Sequence, residues 1–360
     1  MHIPRRRQRS SMRIAPRLNL PGRPGAKLRL DVVQVAVTSR CNASCVYCPH
    51  TMYRKQWINQ DLDPALFEAM LPALSGVKRI HLQGWGEPFL HPNLVDFISQ
   101  AKRAGLHVST TTNGARLDPK LLEAAVAAGL DDLGLSLAGV TAEENDAIRV
   151  GAPFEAVTET IARVHSLASK RPVPTLHIAY MALASHRQSV HRLPALMAKL
   201  GVSEGVVSAL GFAPDRHLEE EGMLARNDEE KRTLRSFRRS MFQLSLAAAF
   251  QGINLYYQLP RPKRRKSCPE NVDSSLVVGA DGQVAPCVMG RLPVKGNCYH
   301  WYAGEERLYA PMVFATLDAD PAGQLAEAAS GQARREFLRT FRNRPPQSCL
   351  QCVKRHMAPE

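Results

Sequence analysis

The sequence predicts an α/β protein built on an open, partial (β/α)6 barrel of the TIM type, followed by a small cysteine-rich domain. Between residues 31 and 212, six short apolar runs rich in β-branched residues alternate with helix-like segments. This alternation indicates a parallel sheet with helices packed outside it. Six units are too few to close an eight-stranded barrel, so the sheet should stay open. Ligands are expected at the C-terminal ends of its strands.

The strands and helices of this core have recognisable start and stop signals. Asp63 and Asp118 each precede a proline, which predicts a capped helix start, and Gly105, Gly129 and Gly201 follow helix-like segments as expected of helix ends. The predicted strands are residues 32–37, 77–82, 107–111, 132–137, 176–181 and 206–210. The predicted helices are residues 64–74, 93–104, 119–128, 154–168 and 190–200.

The rest of the chain divides by composition. Residues 213–254 are expected to form a helical linker, with acidic residues early and arginines later in the helix, which suits the helix dipole. Residues 255–360 hold five of the eight cysteines and a predicted hairpin that turns at Asp281-Gly282. Residues 1–30 form a basic segment that we expect to be a flexible tail.

Charge and hydropathy limit the protein's class. No stretch approaches the roughly 18 apolar residues of a membrane helix, and no apolar segment of a secretory signal follows the basic N-terminus. We therefore expect a cytoplasmic protein without membrane contact. Nine of the Lys and Arg residues behind the net charge of +14 lie in the first 30 residues. No aromatic residue interleaves with them, which counts against nucleic-acid binding.

Three cysteines follow the first predicted strand, at positions Cys41, Cys45 and Cys48. Three thiolates this close in sequence can ligate three irons of a [4Fe–4S] cubane and leave the fourth iron open to a ligand. A zinc site, which usually requires four ligands, and unrelated free thiols are the alternatives.

The spacing C-x3-C-x-aromatic-C after a first strand resembles the signature of the radical S-adenosylmethionine (SAM) superfamily. The resemblance covers most of the chain. It implies that the open iron binds the amino and carboxylate groups of SAM, and that Tyr47 lies near the adenine. It also implies that an electron from the cluster cleaves SAM to a 5′-deoxyadenosyl radical, which abstracts hydrogen from a substrate.

Further segments at strand ends agree with this family. Residues 83–88 resemble its Gly-Gly-Glu-Pro motif, except that Trp85 separates the glycines. Thr112 and Asn113 resemble its Thr-Asn-Gly segment at the ribose. By the same resemblance Ser136 reaches the ribose and Arg149 the carboxylate of SAM, although Arg149 could instead be a solvated residue at a helix end. The resemblance assigns these residues to the SAM site: Tyr47, Gly84, Gly86, Glu87, Thr112, Asn113, Ser136 and Arg149.

A second set of cysteines resembles the SPASM and twitch extensions of the same superfamily. Cys268, Cys287, Cys349 and Cys352 have the spacing of a twitch-type domain, which implies one auxiliary [4Fe–4S] cluster closed by four thiolates. A structural zinc site meets the same ligand count. Cys298 is unassigned; it could be an ordinary thiol, replace one ligand or face the substrate.

The resemblance also implies an electron donor and a class of reaction. We expect an acidic flavodoxin or ferredoxin to dock on the basic run 261–266, beside Cys268.

We expect radical modification of a peptide, protein or small metabolite. The alternatives are a redox-neutral epimerase or rearrangement enzyme and a non-catalytic iron–sulfur or nucleic-acid-binding scaffold. The nucleotide rearrangement of molybdenum-cofactor synthesis is disfavoured because the chain lacks that enzyme's C-terminal glycine pair. Four residues are candidates at the barrel mouth: His81, His177, Tyr180 and Cys298.

Overall fold

The computed structural model describes residues 30–115, 117–263 and 265–357. The predicted basic tail, 1–30, therefore lies outside the described residues except for Leu30, which is buried in the main core. The strands are β1 (Val32–Val35), β2 (Arg79–His81), β3 (His107–Thr112), β4 (Asp132–Leu137), β5 (Thr175–Ala182), β6 (Glu204–Ala209), β7 (Asn254–Gln258), β8 (Ser275–Val278), β9 (Gln283–Ala285), β10 (Tyr299–Tyr302), β11 (Glu305–Leu308) and β12 (Ala315–Thr316). The helices are α1 (Pro49–Met52), α2 (Pro64–Met70), α3 (Leu94–Arg103), α4 (Pro119–Ala127), α5 (Ala142–Ile148), α6 (Phe154–Leu167), α7 (Leu193–Lys199), α8 (Arg216–Glu221), α9 (Asp228–Phe250), α10 (Pro321–Ser330), α11 (Gln332–Phe341) and α12 (Gln347–Leu350).

Ten of these strands form one open sheet in the order β12-β9-β8-β1-β2-β3-β4-β5-β6-β7. Neighbouring strands from β1 to β7 are parallel, and β8 adds to β1 as a further parallel strand. Strands β9 and β12 continue the sheet antiparallel to β8, and β10 and β11 form a separate hairpin. The sheet of an α/β partial barrel is thus confirmed, and it contains two parallel strands, β7 and β8, that the strand–helix alternation did not reveal.

The predicted start and stop signals form as expected. The Asp63 carboxylate accepts a hydrogen bond from the Ala65 N–H at 2.8 Å, and Asp118 caps α4 through the Lys120 N–H at 2.9 Å. Gly105, Gly129 and Gly201 adopt positive φ angles of 80°, 98° and 66°, the conformation that ends a helix without a Cβ clash.

The two faces of the sheet have different surroundings. In β5, the side chains of Leu176, Ile178 and Tyr180 pack into the main hydrophobic core under the helices, whereas His177 and Met181 point to the opposite, inner face. Because successive side chains point to opposite faces of a strand, every second side chain of each strand points into the barrel interior. Among the described residues, no helix is both long and apolar enough to cross a membrane.

Candidate active site

The first three cysteines lie on the loop that leaves the C-terminal end of β1. Two backbone hydrogen bonds hold this loop against the C-terminal end of α5 and the residues after it: Ser44 N–H donates to the Val150 carbonyl at 2.7 Å, and Val46 N–H donates to the Ile148 carbonyl at 3.0 Å. The cysteines pack around one group of mostly small side chains. Its members are Ala43, Tyr47, Ala115 and Ala152. Cys41, Cys45 and Cys48 therefore belong to one packed cluster of side chains.

An ion pair fixes the start of this loop. The Arg40 guanidinium meets the Asp61 carboxylate in two parallel hydrogen bonds, Nε–Oδ1 at 2.9 Å and Nη2–Oδ2 at 2.6 Å. The Trp57 indole N–H also donates to the Ser39 carbonyl at 2.8 Å. Sequence reasoning missed these anchors, because Asp61 and Trp57 belong to no motif and join the loop from many residues away.

The chemistry of the three thiols suits a cationic iron cluster. Burial raises the pKa of Cys48 to about 12 and also raises the pKa of Cys41, with the neighbouring thiols adding to the effect. A buried thiolate is therefore unfavourable unless a positive centre holds it. The irons of a [4Fe–4S] cluster are such a centre, so the donor set fits the group that the sequence predicts.

The loop after β2 lies directly on the cysteine loop, and its glycines permit this contact. A Cβ on Gly86 would clash with the carbonyl of Thr38 and stand 2.6 Å from the carbonyl of Arg40, and a Cβ on Gly84 would clash with Ala36. The Glu87 N–H donates to that Arg40 carbonyl at 2.8 Å. Both glycines thus serve close packing of protein backbone at the site.

Glu87 joins the ends of β2 and β3. Its buried carboxylate accepts hydrogen bonds from the Thr112 hydroxyl at 2.8 Å and from the Asn113 backbone N–H at 2.7 Å. Burial raises the pKa of Glu87, and these hydrogen bonds oppose the rise. The Asn113 side-chain amide reaches the Cys41 sulfur at 3.7 Å and the Asn42 side chain at 2.8 Å. Glu87, Thr112 and Asn113 therefore form one network beside the cysteines.

Arg149 is buried in the site and is not in solvent. It follows α5, is 5% exposed, and its Nη1 donates to the Tyr47 hydroxyl at 2.5 Å. Its Nε atom is buried and finds no hydrogen-bond acceptor among the described residues. The alternative of a solvated residue at a helix end is wrong. An N–H donor without an acceptor, beside the cysteine loop, suits an anionic ligand group.

The remaining predicted residues of the barrel lie on different faces. Ser136 is on the inner face of β4, in register with Ala179 of β5. His81 also faces inward and contacts the Ser109 hydroxyl at 2.9 Å, and burial lowers the pKa of His81 to about 4. Tyr180 packs into the core outside the sheet, so its prediction as a residue of the barrel mouth is wrong.

The second set of cysteines converges in the C-terminal region. Cys268, Cys287, Cys349 and Cys352 line one cavity of about 710 Å³, a volume that includes the solvent at its opening. Burial raises the pKa of all four thiols, that of Cys349 to about 12. Four buried thiols whose pKa values are raised fit the cationic core of a second iron–sulfur cluster, as the first three do.

The four thiols leave the kind of metal centre open. Their number and burial suit a [4Fe–4S] cluster closed by four thiolates and a structural zinc site alike. Cys298 does not line the cavity and packs with Phe212 and Leu292.

Trp85 connects the two cysteine regions. Its indole N–H donates to the carbonyls of Val288 and Arg291, each at 3.1 Å. These carbonyls belong to the segment directly after Cys287, whereas Trp85 itself lies between the two glycines of the β2 loop. The residue that departs from the Gly-Gly-Glu-Pro pattern thus joins the first site to the second.

The comparisons with known proteins agree with this geometry. Residues 35–182 match the model of the Radical SAM superfamily. PqqA peptide cyclase of Gluconobacter oxydans is 30% identical over 261 residues, which are 70% of this chain and 68% of that protein. The chain belongs to the radical SAM superfamily and is an enzyme of that class.

Two more relatives define how far the likeness extends. GTP 3′,8-cyclase of Chlorobaculum tepidum is 37% identical over 139 residues, 38% of this chain but only 41% of that protein. Among solved structures, native anSMEcpe with bound AdoMet and the Cp18Cys peptide has a TM-score of 0.61 at 14% identity. That match covers 89% of this chain and 85% of the other, so the two share a fold.

Proposed function

We propose that this enzyme binds a [4Fe–4S] cluster through Cys41, Cys45 and Cys48 and uses SAM to modify a peptide. When bound, the cluster and SAM supply a 5′-deoxyadenosyl radical that abstracts a hydrogen atom from the substrate. The observation that carries the proposal is the meeting of the cysteine loop with Glu87 and Asn113, at adjoining strand ends, and with the buried Arg149 after α5.

Each of these residues has a task that its position supports. The Arg149 Nε, which has no acceptor among the described residues, would donate to the SAM carboxylate. Glu87 Oε1 accepts hydrogen bonds from the Thr112 hydroxyl and from the Phe89 N–H, whereas Oε2 accepts one from the Asn113 N–H and keeps a lone pair for the SAM ammonium. The Tyr47 hydroxyl accepts the hydrogen bond from Arg149, and we assign the Tyr47 ring to the adenine. Ser136, on the inner face, serves the ribose.

A peptide is the substrate class that the relatives favour. PqqA peptide cyclase is similar over two thirds of both chains, and anSMEcpe, which shares the fold, is solved with a peptide. A redox-neutral rearrangement of a small molecule is the second candidate, since GTP 3′,8-cyclase is similar over part of its length.

We further propose that residues 255–360 act as a twitch-type domain with an auxiliary [4Fe–4S] cluster on Cys268, Cys287, Cys349 and Cys352. The shared cavity of the four thiols supports this assignment. All eight cysteines are free of disulfide bonds, which suits the cytoplasm, where thiols stay reduced. A flavodoxin or ferredoxin would supply the electrons there.

The test is anaerobic reconstitution followed by incubation with SAM and dithionite. The wild-type enzyme should form 5′-deoxyadenosine, and the C41A/C45A/C48A variant should form none. The matched control is C298A, which removes a buried thiol outside both sets and should leave the product unchanged. Equal product from the triple variant, or none from wild-type enzyme with intact clusters, would overturn the proposal.

Mass spectrometry of added peptide then tests the substrate class. A candidate precursor peptide should lose hydrogen or gain an internal bond only when SAM and reductant are both present. A peptide that stays unmodified, with turnover on a nucleotide or sugar instead, would favour the second candidate.

A further inference from the structure

A buried ion pair lies in the cavity of the four C-terminal cysteines. The Lys354 ammonium is 3.0 Å from the Glu270 carboxylate, and the two side chains are only 13% and 17% exposed. Both residues line the cavity together with Cys268 and Cys352. Each charged residue follows a cysteine of the set by two positions, so both charges lie close to the thiols.

The stem of this lysine packs closely against the barrel. Gly211 follows the end of β6, and a Cβ on Gly211 would stand 2.6 Å from Lys354 Cε and 3.3 Å from Lys354 Cδ. The lysine stem passes over the strand end, in the space that the missing Cβ of Gly211 leaves. The side chain is therefore packed against protein along its length and is only 13% exposed.

A contribution to folding stability does not by itself explain a buried Lys354–Glu270 ion pair in the cysteine cavity. Taking two charges out of water costs several kcal/mol per ion, and apolar residues of similar size often stabilise a protein as well or better. A fixed charge in a poorly solvated cavity does, however, act strongly on any redox centre beside it. A cluster with four thiolate ligands is anionic, and it becomes more anionic when it gains an electron.

We propose that Lys354 raises the reduction potential of the auxiliary cluster and that Glu270 opposes it, so that the pair sets the readiness of this cluster to accept an electron. The inference rests on the auxiliary cluster of the proposed function. A nearby cation stabilises the reduced cluster more than the oxidised one, and a nearby carboxylate does the reverse. Because four thiolates leave no iron open for substrate, electron acceptance is the role that the site favours over substrate anchoring.

The experiment is a redox titration, followed by electron paramagnetic resonance, in the C41A/C45A/C48A background, where the auxiliary cluster stands alone. The K354M substitution should shift the midpoint potential downward and E270Q should shift it upward. K354R keeps the charge and should stay near the parent value. The matched control is K102M, which breaks a comparable pair with Asp131 at 2.8 Å on the outside of the barrel and should not change the potential.

The outcomes separate two kinds of failure. If the K354M chain does not fold, E270Q keeps the lysine and still has to raise the potential. If the cluster binds but its potential in E270Q and in folded K354M equals that of the parent chain, this inference alone is overturned. A shift in K102M as large as the shift in K354M would overturn it as well. A parent chain that binds no four-iron cluster overturns the auxiliary cluster itself, and this inference with it.

Discussion

Arg149 shows most clearly how a single residue takes its role from its surroundings. In the sequence it is an arginine after a short helix, yet the fold buries it with one hydrogen bond to Tyr47 and one N–H without an acceptor in the described part of the chain. A buried donor left without a partner costs about 1–3 kcal/mol. A ligand carboxylate would recover that free energy, so Arg149 is placed to contribute to SAM affinity.

We therefore predict that R149M weakens SAM binding while the cluster still assembles. A lost hydrogen bond between charged groups is worth about 1.5–3 kcal/mol, which corresponds to roughly ten- to hundredfold in affinity. Titration of the reduced cluster's paramagnetic signal with SAM measures this change, and iron analysis confirms assembly. The matched control is R163M. It removes the exposed ion pair between Arg163 on α6 and Glu123 on α4, and this variant should bind SAM normally. Unchanged affinity in R149M would contradict the assignment.

Cys349 carries a prediction about pH. Burial raises its pKa from 9.0 to about 12, so in cluster-free protein the folded state keeps a proton that the unfolded chain loses. The stability from this thiol is complete below about pH 9 and is lost as the pH rises toward 12, by about 1.4 kcal/mol per pH unit. Urea unfolding of the cluster-free chain should show this loss, and C349A should reduce its slope.

Cys298 provides the graded comparison for that measurement. Burial raises the pKa of Cys298 to about 11, so C298A should reduce the slope only up to about that pH. Slopes that are the same in C349A and in the parent chain would show that the Cys349 thiol is not buried in the folded state.

Single elements were predictable where their pattern is local. The strands β1 to β6 lie within about two residues of their predicted bounds, because buried parallel strands form continuous apolar runs between turn residues. Strand β7 was missed because its five residues, Asn254–Gln258, have polar ends and follow a long helix. The face of Tyr180 was misjudged, although its spacing from Leu176 and Ile178 already places all three on one side of β5.

The loop after β2 carries a prediction at this scale. In G86A the new methyl group would meet the carbonyls of Thr38 and Arg40, so the β2 loop or the cysteine loop must shift. Such overpacking typically costs about 1–3 kcal/mol. The variant should lose most of the iron bound by Cys41, Cys45 and Cys48 and should show a lower unfolding midpoint.

Gly222 provides the matched control for that substitution. It ends α8 with a φ of −74°, and the nearest atom to an added Cβ would be 3.2 Å away. G222A needs only a small adjustment of the helix end, far from the cysteine loop in sequence, and should fold and bind iron normally. Full iron occupancy in G86A would mean that the two loops are not held as closely as the structure shows.

The joining of the two cysteine regions is a property of the whole molecule that the sequence could not reveal. Strand β8 pairs with β1 although more than two hundred residues separate them, and no local pattern carries that register. The Trp85 hydrogen bonds to Val288 and Arg291 extend the same connection to the SAM-motif loop. The grouping of seven cysteines into two sets could be predicted from the sequence, whereas the single sheet that aligns the two sets and the buried Lys354–Glu270 pair could not.

The docking of an electron-donor protein would also depend on how the whole molecule is folded. The basic run 261–266 lies beside the second cysteine set: Arg265 N–H donates to the Arg355 carbonyl at 2.7 Å, and Arg261 N–H donates to the His356 carbonyl at 2.8 Å. Position 264 is outside the described residues, and Lys263, Arg265 and Lys266 are exposed. An acidic donor protein would be attracted to these three cations.

We predict that R265E/K266E slows reduction by a flavodoxin or ferredoxin on the order of tenfold at low ionic strength, while reduction by dithionite stays normal. The difference should shrink as added salt screens the charges. The control is K170E/R171E, which reverses two exposed charges after α6, at the end of the barrel opposite the strand C-termini. Equal slowing with dithionite, or equal slowing in the control variant, would place donor docking elsewhere on the molecule.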